Sequence, residues 1–277
     1  MSTLNKETPK SFFQLFAEFL DPATSPLRSS NGFVPLNWVI NIQKLGCLFF
    51  TFVLMVYYNN FSKGCWVYLG LHGSYGLMWV LKDITFPDKS FQRKVGLIEF
   101  IMVALILILY YLMPFMMTSG MADSNPSDER VFICIMMYTI GVVLMMATDI
   151  QKYVRLSLKK GLIDDLLMET NRNTNFFGEM LLYSAFATLV NERICFYMLF
   201  FIWSTLFFSR IYLKELSFSK KEGWNKYKSN SYLLLFKIFS SDILNFIFYS
   251  GFVIVCYLTF INGGMEATVK LILNKIK

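Results

Sequence analysis

Asn175 and Glu179 stand four residues apart in the stretch RNTNFFGEMLLYSAFA (172–187), where a polar turn runs into membrane-grade hydrophobicity. On a helix they share one face, and Tyr183 continues it at the next i+4 step. A carboxylate at the mouth of an apolar helix is costly unless something pairs with it. The chemistry open to this set is recognition. A carboxylate and an amide read the amide or hydroxyl groups of a ligand, and a helix start favours an anion. Lys152, Arg172 and the lysines of 214–235 supply counter-charge, so a diphosphate would be held well at this face. The competing reading is structural: Glu179 pairs with a lysine or caps backbone N–H groups.

Other polar residues gather at the same ends of the apolar runs. Asp149, Lys152 and Tyr153 share a helical face at the end of one run, and Tyr227 and Lys228 sit in a later basic loop. Adjacent Lys82 and Asp83 read either as an ion pair closing a pocket or as an interfacial snorkelling pair. Asp164 and Asp165, in a lysine-rich loop, read as a solvated face. Met113, Met116, Met117 and Met121 read as packing filler at a membrane boundary. No Gly-rich phosphate loop of the Rossmann or P-loop kind occurs, and no strand is expected. Five scattered cysteines without a CxxC pair and a single histidine, His72, argue against a metal site.

The elements that must position these residues are membrane helices. The chain has 277 residues, 55% of them hydrophobic and only 16% charged, a charge content too low for a water-soluble domain of this size. Seven apolar runs span about 37–58, 64–81, 95–117, 131–151, 176–190, 194–213 and 241–261. The fold class is therefore an all-α, polytopic transmembrane bundle of about seven spans. Loops 82–94, 152–175 and 214–235 hold 4, 5 and 5 Lys/Arg, and the loops between them, 59–63, 118–130 and 191–193, hold one each. The positive-inside rule places the N-terminus and the basic loops in the cytosol, or in the matrix of a mitochondrion. The net charge of +7 is thus a membrane signature, and no basic stripe with interleaved aromatics points to nucleic acid. MSTLNKETPK shows no signal-peptide core, and SFFQLFAEFL reads as an interfacial helix on the bilayer, followed by a turn-rich linker.

The run 172–187 resembles the signature of the steroid 5α-reductase-like membrane protein family, whose pattern is close to R-[HN]-P-N-Y-x-G-E. ATDIQKY (147–153), GSYGLMWVLKDITFPDKSF (73–91) and KELSFSKKEGWNKYKSNS (214–231) resemble a little-characterised branch of it. The resemblance extends from the second span to Leu235. It implies a seven-helix bundle holding NADPH at its cytosolic side, with Asn175 and Glu179 touching the cofactor. Asp149, Lys152, Arg172 and Tyr227 join them as cofactor-binding candidates, and no metal is implied. The implied reaction is hydride delivery to the β-carbon of an enone in a lipid-like substrate, with an acid polarising the carbonyl. Tyr75, one turn from His72, and Glu99 are the candidate proton donors; packing beside Gly73 and Gly76, and a helix-dipole role, are their structural alternatives.

Departures from the pattern fall around the motif. Thr174 and Phe176 stand where it has Pro and Tyr, Asn230 replaces a basic residue, and Phe236 replaces a closing Pro. The paired histidines of the steroid reductases are missing from 214–235, and their N-terminal glutamate has no assigned counterpart. The expected organisation is an interfacial helix and linker (1–36), a reductase-like membrane domain (37–236), and an extra span with an amphipathic tail (237–277). Two functions follow as expectations. One is an NADPH-dependent reductase of a C=C bond, residing in the endoplasmic reticulum as its relatives do. The other is a non-catalytic accessory subunit of a large membrane complex, for example a respiratory assembly of the mitochondrial inner membrane. Expected partners are membrane lipids, a lipid-like substrate and, in the second case, other subunits.

Overall fold

Each of the seven apolar runs becomes helical in the computed structural model, which describes residues 10–21 and 32–276. A short helix α1 (Phe12–Leu20) comes first, capped by the Ser11 hydroxyl, which accepts from the Gln14 N–H. Strand β1 (Val34–Pro35) leads into α2 (Leu36–Tyr57) and α3 (Lys63–Thr85). Strand β2 (Lys94–Val95) precedes α4 (Leu97–Ile108), which continues through a 3-10 turn into α5 (Leu112–Thr118). Then come α6 (Asp128–Leu158) and α7 (Thr174–Val190). The helix α8 (Arg193–Ile202) passes through a π-helical turn, Trp203–Phe207, into α9 (Phe208–Phe218). Helices α10 (Trp224–Asn230), α11 (Asp242–Ile261) and α12 (Met265–Ile276) complete the chain.

The expectation of no strand is corrected. β1 and β2 pair antiparallel through Val34↔Val95 and Pro35↔Lys94, because the loop 86–96 folds back on the start of α2. The Leu36 and Asn37 N–H groups, which no intrahelical partner can satisfy, donate to Arg93 O and Phe91 O at 2.9 and 2.8 Å. This clamp carries Asp88 and Phe91 to the mouth of the bundle.

Five segments are long and apolar enough to cross a bilayer: 36–57, 97–118, 128–158, 193–218 and 242–261. The other two are α3, which carries Lys63, Lys82, Asp83 and four glycines, and α7, with 17 residues. α7 has no exposed residue and is enclosed by other helices, whereas α3 keeps one face exposed through Trp66, Leu77, Leu81 and Ile84. At the crossing of α6 and α7 the backbones touch through Gly141 and Gly178. A Cβ on either would lie 2.6 Å from the other's carbonyl oxygen, so the approach requires glycine at both.

α1 forms as expected and docks on α9, the Phe13 ring standing edge-on to Tyr212 at 5.0 Å, while Phe12 remains 86% exposed. The remainder of the expected interfacial region, 1–9 and 22–31, lies outside the described residues. α11 is attached at its start, where Asn245 Oδ1 accepts from Ile238 and Phe239 N–H at 2.8 and 2.9 Å. Only 6% of its apolar window is buried.

Candidate functional site

The polar turn before α7 is held rigidly by the segment after α10. Asn171 and Asn173 donate from Nδ2 to Leu234 O and Leu233 O at 2.7 and 2.8 Å, and Arg172 N–H donates to Tyr232 O at 3.0 Å. The buried Arg172 guanidinium meets the Glu215 carboxylate at 3.0 and 3.1 Å and donates to Ser231 O at 2.5 Å. Thr174, where the family pattern has Pro, donates its hydroxyl to Leu167 O at 2.7 Å. Phe236, where the pattern closes with Pro, packs edge-on against Phe177 at 5.9 Å. The direction of α7 is thereby fixed, and its Asn175–Glu179–Tyr183 face lines a cavity of about 610 Å³.

The cavity is polar at one end and apolar along its depth. Near α7, Lys82 pairs with Asp149 between α3 and α6, and Lys152 reaches Asp88 at 3.0 Å. Lys214 donates to Arg172 O and Lys221 to Gly161 O, at 2.8 and 2.9 Å, so neither cation is matched there by a carboxylate. Together with Lys44 and Arg210, six cations among the described residues line the cavity against four carboxylates, a balance that favours an anion. Asp88 lies in the loop beyond α3. Burial works against its charge, but Lys152 and hydrogen bonds from Ser90 outweigh it and hold the carboxyl well below the usual carboxylate range. Leu107, Met113, Met198 and Leu199 form the apolar walls.

Two of the α7 groups face the cavity incompletely satisfied. Asn175 donates to Asp149 at a long 3.4 Å, and its buried Oδ1 has no partner. No hydrogen bond or ion pair among the described residues reaches the Glu179 carboxylate, on which Lys44 and Lys82 act only through space. The structural alternative of a direct lysine pair for Glu179 is not what this geometry contains.

On the α2 side of the cavity a buried lysine organises a tyrosine cluster. Lys44 Nζ donates to Tyr75 Oη at 2.6 Å and to Tyr183 Oη at 3.2 Å, and lies 3.4 Å from the centre of the Trp79 ring. Tyr183 bonds in turn to Tyr75 and Tyr110. His72 stacks on Phe186 at 4.3 Å and shares a 2.7 Å hydrogen bond with Tyr68 through Nδ1.

Asp149, Lys152, Asn175 and Glu179 are brought together on the cavity wall; the other expected site residues are not. Arg172 belongs to the turn scaffold, and Tyr227, which donates to Met168 O at 2.8 Å, braces the same turn; burial pushes its phenol up. Tyr75 stands behind Lys44 and Tyr183, outside the cavity lining. Glu99 is buried against Arg93 at the start of α4. Of the two alternatives for Lys82 and Asp83, the ion pair is not formed: the side chains diverge, Lys82 to Asp149 and Asp83 to the amides of Asn37, Asn41 and Gln92. Lys44, a lone charge inside an otherwise uncharged span, was not among the expected site residues. Tyr110 and Arg210 carried no signal in the motif.

Among curated proteins no match to this chain was found. A family model for proteins of unknown function, DUF1295, matches residues 85–232, more than half of the chain. That family is associated with steroid 5α-reductase-like proteins. The matched region begins at the last residue of α3 and ends after α10, so it contains Asp88, Asp149, the Asn171–Asn173 turn and Glu179, and leaves out Lys44, Tyr75 and α11. The chain, a polytopic helical membrane protein with most but not all of its cavity lining inside the matched region, belongs to the DUF1295 family.

Proposed function

We propose that this protein is an NADPH-dependent reductase of a carbon–carbon double bond in an unsaturated lipid or steroid-like substrate. The observation that carries the reading is the pairing of an unpartnered Asn175 amide oxygen and a Glu179 carboxylate with a cation-rich cavity end, all above apolar walls. These residues fit the cofactor. Asn175 and Glu179 offer acceptors to amide and hydroxyl groups, and Lys152, Lys214 and Lys221, with the first-turn N–H groups of α7, suit a diphosphate. When bound, NADPH supplies hydride to the electron-poor carbon of the substrate. The protein's own part is to orient both partners, exclude water with Leu107, Met113 and Leu199, and place a hydrogen-bond donor at the oxygen where charge develops.

The test is a titration of the purified protein with NADPH, with mass spectrometry of any nucleotide that copurifies. Glu179→Gln should weaken binding about tenfold or more, the loss expected when a charge-assisted hydrogen bond is removed. Unchanged affinity would sink the reading.

A second reading is favoured by α11. It lies outside the family-matched region, its window is only 6% buried, and α12 follows it. In this reading the chain is an accessory subunit that kept the reductase fold within a large membrane complex, such as a mitochondrial respiratory assembly. The first reading suits the endoplasmic reticulum and the second the mitochondrial inner membrane. A native gel of gently solubilised membranes separates them: a small free species only would rule against the subunit.

A further inference from the structure

We infer that α12 is an interfacial anchor: its apolar stripe enters the bilayer surface, and its lysines meet the phosphates of anionic phospholipid, at the end of the bundle away from the basic loops. The inference goes beyond the proposed function and holds for either reading of it.

The start of α12 is pinned at the boundary of a membrane span. Gly263 and Gly264 take positive φ, +82° and +126°, and turn the chain out of α11. The Met265 N–H then donates to the carboxylate of Glu129, in the first turn of α6. Glu129 lies just before the apolar run of α6, so α12 sets out at the level where hydrocarbon gives way to headgroups. Beyond Thr268 every residue to Ile276 is exposed, so the helix stands clear of the bundle.

A helix of 12 residues with none of them buried has little to hold it in water. Its pattern supplies what is missing. At the α-helical turn per residue, Met265, Val269, Ile272, Leu273 and Ile276 fall within one stripe about 100° wide. The last four leave at least half of their surface uncovered; of the apolar side chains beyond Thr268 only Leu271 points elsewhere. Lys270 and Lys275 stand on opposite flanks of the stripe. From there an alkyl stem runs along the apolar boundary and lifts its ammonium to the phosphates. Lys270 pairs with Glu266 one turn earlier, an exposed pair that yields readily to another anion. No carboxylate among the described residues pairs with Lys275. A protein groove would also cover the stripe. Cations on both flanks, at the depth where headgroups begin, are instead what an anionic lipid surface complements on both sides at once.

The experiment uses the full chain with the exposed Cys256 replaced by Ser, carrying a nitroxide at Ile272→Cys, Asn274→Cys or Ile276→Cys. All three positions are exposed, so the substitutions leave the core intact. Each protein is placed in nanodiscs of phosphatidylcholine, alone or mixed with phosphatidylglycerol. Collisions are measured with oxygen, which concentrates in hydrocarbon, and with a water-soluble nickel chelate. In the mixed discs the labels at 272 and 276 should meet oxygen and be shielded from nickel, and the label at 274 should show the reverse. Removing phosphatidylglycerol should raise nickel access at 276, and so should Lys275→Glu in the mixed discs. Each lysine should shift the balance between bound and free helix about fivefold. Equal nickel access at 272 and 274 would overturn the inference, because the helix then stands in water. Shielding of 272 and 276 from both probes would overturn it in favour of a protein groove on a second copy of this chain. Oxygen contact indifferent both to lipid charge and to Lys275→Glu would overturn it as well.

Discussion

Lys82 and Asp149 meet between α3 and α6 with their side chains 7% and 10% exposed, 67 residues apart in the chain. Removing one partner strands a buried charge, which costs about 3–5 kcal/mol, whereas replacing both with apolar groups of similar size is close to neutral. Asp149→Ala should therefore lower the melting temperature sharply in detergent, and Lys82→Met with Asp149→Leu should recover most of the loss. Thermal melts of Asp149→Ala and of the double variant check this.

Gly178 offers a test of the helix crossing that presents the site. Its Cβ would fall 2.6 Å from Gly141 O and 2.7 Å from Met145 N, both backbone atoms that cannot swing aside. Gly178→Ala should cost at least about 1–3 kcal/mol through forced separation of α6 and α7. Gly251→Ala on α11, where a Cβ meets nothing within 4 Å, should be nearly silent in the same melts.

Arg172 and Glu215 test whether the turn before α7 is a scaffold. Arg172→Ala removes a buried guanidinium that joins the turn to α9 and to Ser231. The expected loss is about 3 kcal/mol. Limited proteolysis should show faster cleavage within 159–173 than in the parent protein. An unchanged digestion pattern would mean that the asparagine hydrogen bonds hold the turn by themselves.

Asp88 gives a pH dependence with a definite sign. Its folded-state carboxyl titrates below its ordinary range despite burial, because Lys152 lies 3.0 Å away and the Ser90 N–H and hydroxyl donate to it at 2.9 and 2.7 Å. A depressed acid contributes stability that is fully present above its unfolded value of about 3.9 and fades as pH falls toward the folded value. The melting-temperature gap between the parent protein and Asp88→Asn should stay constant from about pH 8 to pH 5. It should close as the pH drops below about 4.

Much of the bundle was legible because membrane helices announce themselves by length and hydropathy, and all seven runs became helical. The Asn175–Glu179–Tyr183 face was legible for a different reason: period and polarity conflict there with the apolar run that follows. Partners across the bundle were not legible. Lys82 stands beside Asp83, and adjacency suggested a pair, but neighbours on a helix point about 100° apart and these two reach different helices. Lys44 was hidden in plain view inside the run NWVINIQKLGCLFF, where one charge did little to the average hydropathy. Its meaning depended on Tyr75, Trp79 and Tyr183, which only tertiary packing assembles around it. Tyr75 itself was the natural donor by spacing, yet packing sets it one layer behind the cavity surface.

α3 and α7, the two helices that fall short of a self-sufficient span, are also the two that carry Tyr75, Trp79, Lys82, Asn175 and Glu179. Lipid has little to offer a helix with charged residues or one of 17 residues, so neither is retained by its own hydrophobicity. Each follows a strongly apolar helix, α2 or α6, on which it can be carried into the bilayer as the second arm of a hairpin. Both are held in place by packing on their neighbours, for α7 through contacts such as Gly141–Gly178. The cavity, walled by both dependent helices, therefore exists only once that packing is complete.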